Sequence, residues 1–310
     1  MAIGDDSSNG TIKVYNESGE LVFSFKAHES QINGIKQLPN GFVATVSSDN
    51  TSKIWNSITF DLIQTYTGHT QPVYGLEYID EYTIATGALS PDMTIRLWSI
   101  CTSNTNRTIH TGSGIMSLKL LSNGVYLASA LVSHFINIYN IYTGNLVSVL
   151  TGHSYGVNCL VLIKNDLLAS SSNDKTILIW NLTTNSSKFN MTGHTQNVLG
   201  LKLITSDILS SGSSDGTIKL WNITNGTLIR TLYGHTNKVY WSIDFLNDGQ
   251  TLISGSLDQT AKIWNYNTGY LVRTINTSLN IRSLTTFSEI YGKLIFFKFE
   301  IYIYSFFSDH

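Results

Sequence analysis

Charge is scarce in this chain. Charged residues fill 13% of its 310 positions, about half of the ~25% usual in globular domains. The 19 basic and 21 acidic residues nearly cancel, leaving a net charge of −2. Such a chain has no basic field to draw it to nucleic acid or to an anionic membrane surface. Only three prolines occur, so little interrupts extended structure. The two cysteines, Cys101 and Cys159, make neither a disulfide framework nor a C-x-x-C pair. The opening MAIGDDSS lacks the basic and apolar regions of a signal peptide. The longest apolar tract, Leu294 to Phe307, carries Lys298 and Glu300 and falls short of the ~18–20 apolar residues of a spanning helix. These absences point to a reduced intracellular setting, cytoplasmic or also nuclear, with no membrane insertion.

What the chain does contain is a period. A histidine preceded by Gly or Ala stands at His28, His69, His153, His194 and His235, and a lone histidine falls at His110. Successive gaps are 41, 41, 43, 41 and 41 residues. An aromatic closes each unit in step: Trp55, Trp98, Tyr139, Trp180, Trp221 and Trp264. An aspartate follows the histidine by 21 residues at Asp49, Asp174 and Asp215, and by 23 at Asp92 and Asp258. Internal repeats of this length set the architecture.

Each unit reads as four short strands. In residues 194 to 232, NVLGLKLI and GTIKLW alternate with period two, and TSD, SSDG and NITNG supply turns. No helical periodicity competes. In TIKLW, Ile218 and Leu220 point one way and Trp221 the other, so both faces of the sheet carry apolar bulk. A sheet that must bury both faces needs a neighbour on each side. Stacking such units in a closed ring supplies both neighbours and leaves no large open edge. The expected fold is all-β, a β-propeller of four-stranded antiparallel blades.

Histidine, serine and aspartate in one segment could be hydrolytic machinery, with His194 activating Ser213 and Asp215 orienting the imidazole. An enzyme needs one such site. Here the set recurs with the period, which favours a structural hydrogen-bond network.

Repeats of the form GH…S-x-D-x-T-I-K-x-W resemble the WD-repeat family of β-propellers over nearly the whole chain. One departure is consistent: Trp-Asn stands at Trp55, Trp180, Trp221 and Trp264, and Trp-Ser at Trp98, where the family has Trp-Asp. Asparagine still caps a turn through its side chain. The resemblance implies that each turn Asp bonds the loop His, which reaches a second-strand hydroxyl that reaches the Trp indole. The sets are His28, Asp49 and Trp55; His69, Asp92 and Trp98; His153, Asp174 and Trp180; His194, Asp215 and Trp221; and His235, Asp258 and Trp264. In the fifth repeat, Ser211 and Ser213 both qualify as the hydroxyl. Repeat three, with Ser133 at the Asp place and Tyr139 for Trp, should lack most of its network.

The period divides a single domain, 1–310, into an N-terminal partial unit at 1–26 and six repeats. The repeats span 27–66, 67–108, 109–150, 151–191, 192–232 and 233–275, and a decayed partial unit covers 276–310. The two partial units together would make a seventh blade, closed by both termini. Tyr15, 40 residues before Trp55, and Tyr304, 40 after Trp264, claim the same strand of it.

By the same resemblance, the face beside the histidine loops is the docking surface. Positions flanking the leading apolar residue of the first strand are Gln31 and Asn33, Pro72 and Tyr74, Asn158, Asn197 and Leu199, and Lys238 and Tyr240. Those just before the turn Asp include Asn173, Ser214 and Leu257. The expected function is a non-catalytic scaffold that binds proteins or peptides on a rigid face, itself monomeric within a complex. A second reading is the partner-reading fragment of a larger regulatory protein, such as a ubiquitin-ligase adaptor or signalling protein. The least supported is an enzyme using the axial channel, since no metal cluster, phosphate loop or nucleophile elbow is present. No catalytic residue, cofactor, metal or nucleic acid partner is expected.

Overall fold

The computed structural model describes residues 10–16, 20–39, 41–164, 166–245, 249–277 and 280–286, and the backbone of 301–304. All regular elements among them are strands. Six consecutive four-stranded sheets form, each antiparallel and each ordered as the chain runs. We number these blades 1 to 6 by the repeats from 27–66 to 233–275. Blade 5, for example, comprises Val198–Thr205, Ile208–Ser213, Ile218–Asn222 and Thr227–Leu232.

Burial on both faces follows from stacking. Ile218 and Leu220 of blade 5 pack with Val239, Leu252 and Trp264 of blade 6. On its other face, Leu209 and Trp221 meet Ile177, Ile179 and Met191 of blade 4. Each closing Trp therefore faces the preceding blade, and a fully buried large apolar side chain contributes roughly 1.5–3 kcal/mol. Glycine admits the close approach between inner strands. A Cβ on Gly200 would stand 2.6 Å from the Tyr240 carbonyl oxygen and 2.9 Å from the Trp241 Cα.

One irregularity recurs. The first strand of each blade bulges just after its leading apolar residue, so Ile32 and Gly34 pair across while Asn33 between them does not. The same shift leaves out Tyr74, Met116, Asn158 and Leu199. In blade 6 it widens to span Tyr240, Trp241 and Ser242. A bulge re-aims the extra residue away from the ladder.

A further sheet lies between blades 6 and 1. Thr11–Asn16 pairs antiparallel with Leu21–Lys26 on one side and parallel with Ile301–Tyr304 on the other. The strand's two faces divide the work: Ile12 and Val14 join the core of blade 1, whereas Tyr15 packs with Ile253 and Ala261 of blade 6. Tyr15 Oη also donates to the Thr277 carbonyl at 3.4 Å. The two strands expected to compete thus lie side by side, with the C-terminal one displaced. Ile281–Thr286 runs beside the inner strand of blade 6, and Thr286 N donates to Asp244 Oδ2 at 2.7 Å. Of the two partial units, residues 1–9 and 287–300 lie outside the described residues.

Candidate functional site

The hairpin between the second and third strands and the loop before the first strand meet on one face of every blade. In blade 5, His194 Nδ1 lies 2.8 Å from Asp215 Oδ2, and His194 Nε2 lies 2.7 Å from Ser211 Oγ. Trp221 Nε1 donates to the same Oγ at 2.8 Å. Blade 1 uses Thr45 with His28, Asp49 and Trp55, and blade 2 uses Thr86 with His69, Asp92 and Trp98. Blade 4 uses Ser170 with His153, Asp174 and Trp180, and blade 6 uses Ser254 with His235, Asp258 and Trp264. The glycine before the histidine has a role here: Gly193 has φ of 150°, and its Cβ would meet Trp221 Cη2 at 3.3 Å.

Each atom in this chain can be satisfied once. The indole N–H donates to the hydroxyl oxygen, the hydroxyl proton points to Nε2, and Nδ1–H donates to the carboxylate. The order mimics a hydrolytic triad, but the Trp occupies the hydroxyl and Ser211 is fully buried. No substrate reaches it. Ser213, the other candidate, does something else: its Oγ accepts from Asp215 N at 3.1 Å and caps the turn. Across repeats the distinction was readable, because blade 2 has a hydroxyl only at Thr86, with Ala88 at the place of Ser213.

The aspartates gather further donors. Asp215 accepts from Thr195 N at 3.0 Å, Thr217 N at 2.9 Å and Thr217 Oγ1 at 2.6 Å. Burial works against its charge, yet the bonds from His194 and Thr217 outweigh it and hold the carboxyl far below the usual range. Asp49, Asp174 and Asp258 are held down in the same way. At Asp92 burial is outweighed chiefly by Thr94, and the carboxyl sits at about 2. Burial pushes His28, His69 and His235 below the ordinary 6.5, against the pull of their aspartates.

Blade 3 is built differently. The residue four before its leading apolar Ile115 is Thr111, the place His153 holds before Val157. His110 is exposed on the outer strand of blade 2, so its fit to the period is one residue off. Thr111 Oγ1 lies 2.8 Å from the Met93 carbonyl and 2.7 Å from the Ser113 carbonyl, sharing one proton between them, and Asn137 Nδ2 donates to Tyr139 Oη at 2.9 Å. Ser133 has no carboxylate, and its backbone N donates to Ser113 Oγ at 3.1 Å.

The expected docking positions separate into two groups. Gln31, Asn33, Asn158 and Leu199 are buried, which corrects their placement on an exposed face. The bulge is the reason for Asn33, Asn158 and Leu199, which it turns off the ladder. Asn33 Nδ2 donates to the Val73 carbonyl at 3.0 Å and Asn158 Nδ2 to the Val198 carbonyl at 2.8 Å, each clipping its blade to the next. Gln31 lies with its amide against the Arg282 guanidinium. Lys238 is exposed, and Pro72, Tyr74, Asn173, Asn197, Ser214, Tyr240 and Leu257 are half-buried. The Arg282 guanidinium lies 5.0 Å from the centre of the Tyr240 ring.

Two features escaped the periodic reading. Trp241, the one tryptophan outside the closing positions, leans from the widened bulge of blade 6 across the axis. Its indole N–H donates to the Asn158 carbonyl of blade 4 at 3.2 Å, and its ring meets Tyr74 of blade 2 edge-on at 5.8 Å. Below it lies a cavity of about 370 Å3, lined by the first strands. Charged residues sit at one level of that wall: Lys36, Glu77, Lys119 and Lys202 are each four residues beyond the leading apolar residue of their strands, and Asp244 is five beyond. Lys36 and Lys119 both pair with Glu77, and Lys202 pairs with Asp244 at 2.6 Å. Cys159 also lines the cavity, but burial pushes its thiol up to about 11, so it is no ready nucleophile. Among the described residues, no three His, Cys, Asp or Glu side chains are grouped to hold a metal, and no helix is long and apolar enough to cross a membrane.

This geometry meets its counterpart in known proteins. The family described as WD domain, G-beta repeat (WD40) matches residues 19–56, 60–99, 144–181, 185–222 and 226–265, more than half of the chain. The protein belongs to the WD-repeat family. The unmatched stretch between 99 and 144 is largely blade 3, which lacks the histidine, aspartate and tryptophan. The chain is similar to nuclear distribution protein nudF of Aspergillus niger, 38% identical over 166 residues, covering 52% of this chain and 38% of that protein. It is also similar to protein tipD of Dictyostelium discoideum, 32% identical over 143 residues, covering 45% and 23%. Autophagy-related protein 16 of Arabidopsis thaliana is 24% identical over 162 residues, covering 52% and 30%. The chain thus spans less than two fifths of each relative. In fold it superposes on the WD40 β-propeller domain of Doa1 with a TM-score of 0.77 at 23% identity, covering 90% of this chain and 94% of that one.

Two predictions follow from the networks. Asp215→Ala strips acceptors from His194, Thr195 and Thr217 together. Leaving them unpaired should cost about 2–4 kcal/mol of stability, read as a lower denaturant midpoint; an unchanged midpoint rejects the structural role. For pH, the folded His28, His69 and His235 bind protons less readily than the unfolded chain, whose histidines titrate near 6.5. Their contribution is complete above about pH 6.5 and declines as pH falls below it. The depressed aspartates contribute fully above about pH 4 and lose that contribution below it. The melting temperature should therefore be level between about pH 7 and 8, fall as pH drops below about 6.5, and fall more steeply below about pH 4. A melting temperature that rises between about pH 7 and 5 contradicts this.

Proposed function

We propose that the chain is a non-catalytic interaction platform that docks protein or peptide partners on the face of its histidine loops. The observation that carries this reading is the repeated locking of those loops: five buried networks join loop, hairpin and sheet in five blades. A surface held this way orders little on binding, and the entropy cost of association is correspondingly small. Lys238, Pro72, Tyr74, Asn173, Asn197, Ser214, Tyr240 and Leu257 remain accessible there and are the proposed contacts, with Tyr240 as the aromatic anchor. Gln31, Asn33, Asn158 and Leu199 are left out because they are buried.

In this reading the sheet of Leu21–Lys26, Thr11–Asn16 and Ile301–Tyr304 counts as a seventh blade, and residues 1–310 make one propeller closed by both termini. Packing of Ile12 and Val14 on blade 1 and of Tyr15 on blade 6 supports that. The propeller acts as a monomer within a complex, in the cytoplasm or nucleus, consistent with its two free cysteines. A second reading has one specific support: the matched segments are only 23–38% of the relatives' lengths. The chain would then be the partner-reading fragment of a larger regulatory protein.

The test is capture from the protein's own cells, comparing Lys238→Glu and Tyr240→Ala with Tyr142→Ser in a hairpin of the opposite face. The first two should each lower recovery of the same co-purifying proteins several-fold, with melting temperatures close to the parent's. Undiminished recovery in both, or a loss equal to that in Tyr142→Ser, would falsify the assignment of the face.

A further inference from the structure

We infer that the axial cavity below Trp241 is a binding site for a small phosphorylated anion. The inference is independent of the docking face and rests on four observations.

The first is charge placement. A chain with only 13% charged residues brings five of them to one level of its axis, three lysines against two carboxylates. The second is accessibility. The side chains of Lys36, Lys119 and Lys202 keep 31%, 28% and 41% of their exposure, whereas Glu77 and Asp244 keep 7% and 5%. The carboxylates are covered and the ammoniums line the space, so the surface offered to a ligand is cationic.

The third is unused donor capacity. An ammonium has three N–H donors, and among the described residues each of these lysines has one hydrogen-bonding or ion-pair partner. Asp244, by contrast, is already saturated by Thr285 and Thr286 as well as Lys202. The fourth is shape. At ~30 Å3 per water, the cavity of about 370 Å3 holds roughly a dozen waters, enough for a phosphate group or a pyrophosphate with part of its hydration. Trp241 crosses the axis at the histidine-loop end, so the lysines are served from the opposite face. Low-dielectric walls concentrate the field of the three accessible ammoniums on such a ligand. Lysine ammoniums suit phosphate as point charges that need no fixed fork geometry. Burial and the neighbouring Lys119 and Lys202 lower the Lys36 pKa against the pull of Glu77, and an anion between the lysines would relieve that crowding.

Isothermal titration at constant ionic strength tests the site, with inorganic phosphate, glycerol phosphate and pyrophosphate as probes and chloride as the control. Lys119→Gln leaves Glu77 paired with Lys36, and Lys202→Gln leaves Asp244 bonded to Thr285 and Thr286, so neither orphans a buried carboxylate. The expected result is saturable binding of pyrophosphate, one per chain, at least tenfold weaker in both lysine variants. Glu77→Gln, which removes a competing charge, should bind more tightly, a gain that misfolding cannot produce. Preference for glycerol phosphate over inorganic phosphate identifies an ester as the ligand, and the reverse identifies the free ion. No saturable binding to the parent chain, or equal affinity in the parent and all three variants, overturns the inference.

Discussion

The structure depends on a buried hydroxyl shared by two rings. In five blades a Ser or Thr on the second strand accepts the indole N–H of the closing tryptophan and faces Nε2 of the loop histidine. From that point the histidine reaches the aspartate, and the aspartate gathers the backbone of both the loop and the hairpin. One set of contacts therefore ties the middle of the sheet to the face where its loops emerge. The tryptophan ring also packs on the preceding blade, so the same residue joins local hydrogen bonding to the stacking of the ring.

This arrangement uses the atoms of a hydrolytic triad for another purpose. A catalytic serine needs its oxygen open to substrate, and here the indole occupies it. The depressed aspartates and lowered histidines are consequences of saturation and burial rather than signs of a poised base. Perturbed titration marks functional sites only in some cases, and structural networks perturb it as well.

Much of this was legible because periodicity repeats each experiment. The histidines, aspartates and tryptophans stand in register, so their roles follow from spacing and resemblance, and blade 3 announced itself by what it lacks. Other features were hidden by local irregularity. The family resemblance places Asn33, Asn158 and Leu199 on an exposed rim, but the bulge after the leading apolar residue turns them inward. Trp241 could have been noticed as a tryptophan out of step. The charged level of the channel could have been found by aligning the first strands, where Lys36, Glu77, Lys119 and Lys202 share one position. His110 matched the period by count and missed the site by one residue, because strand length rather than total spacing sets which side chain enters the loop.

The hydroxyl-centred network, and not apolar burial alone, holds a blade closed. Blade 3 is the natural control, since its third strand is as buried as its counterparts: Ile136 and Tyr139 are 0% and 3% exposed, and Ile218 and Trp221 are 0% and 1%. Native-state hydrogen exchange compares the amides of Ile136–Asn140 with those of Ile177–Asn181 and Ile218–Asn222. Opening free energies reported this way are local, and each tenfold difference in rate corresponds to about 1.4 kcal/mol. Exchange should be at least about tenfold faster in blade 3. Equal protection in all three strands would contradict it, because burial without the network would then suffice.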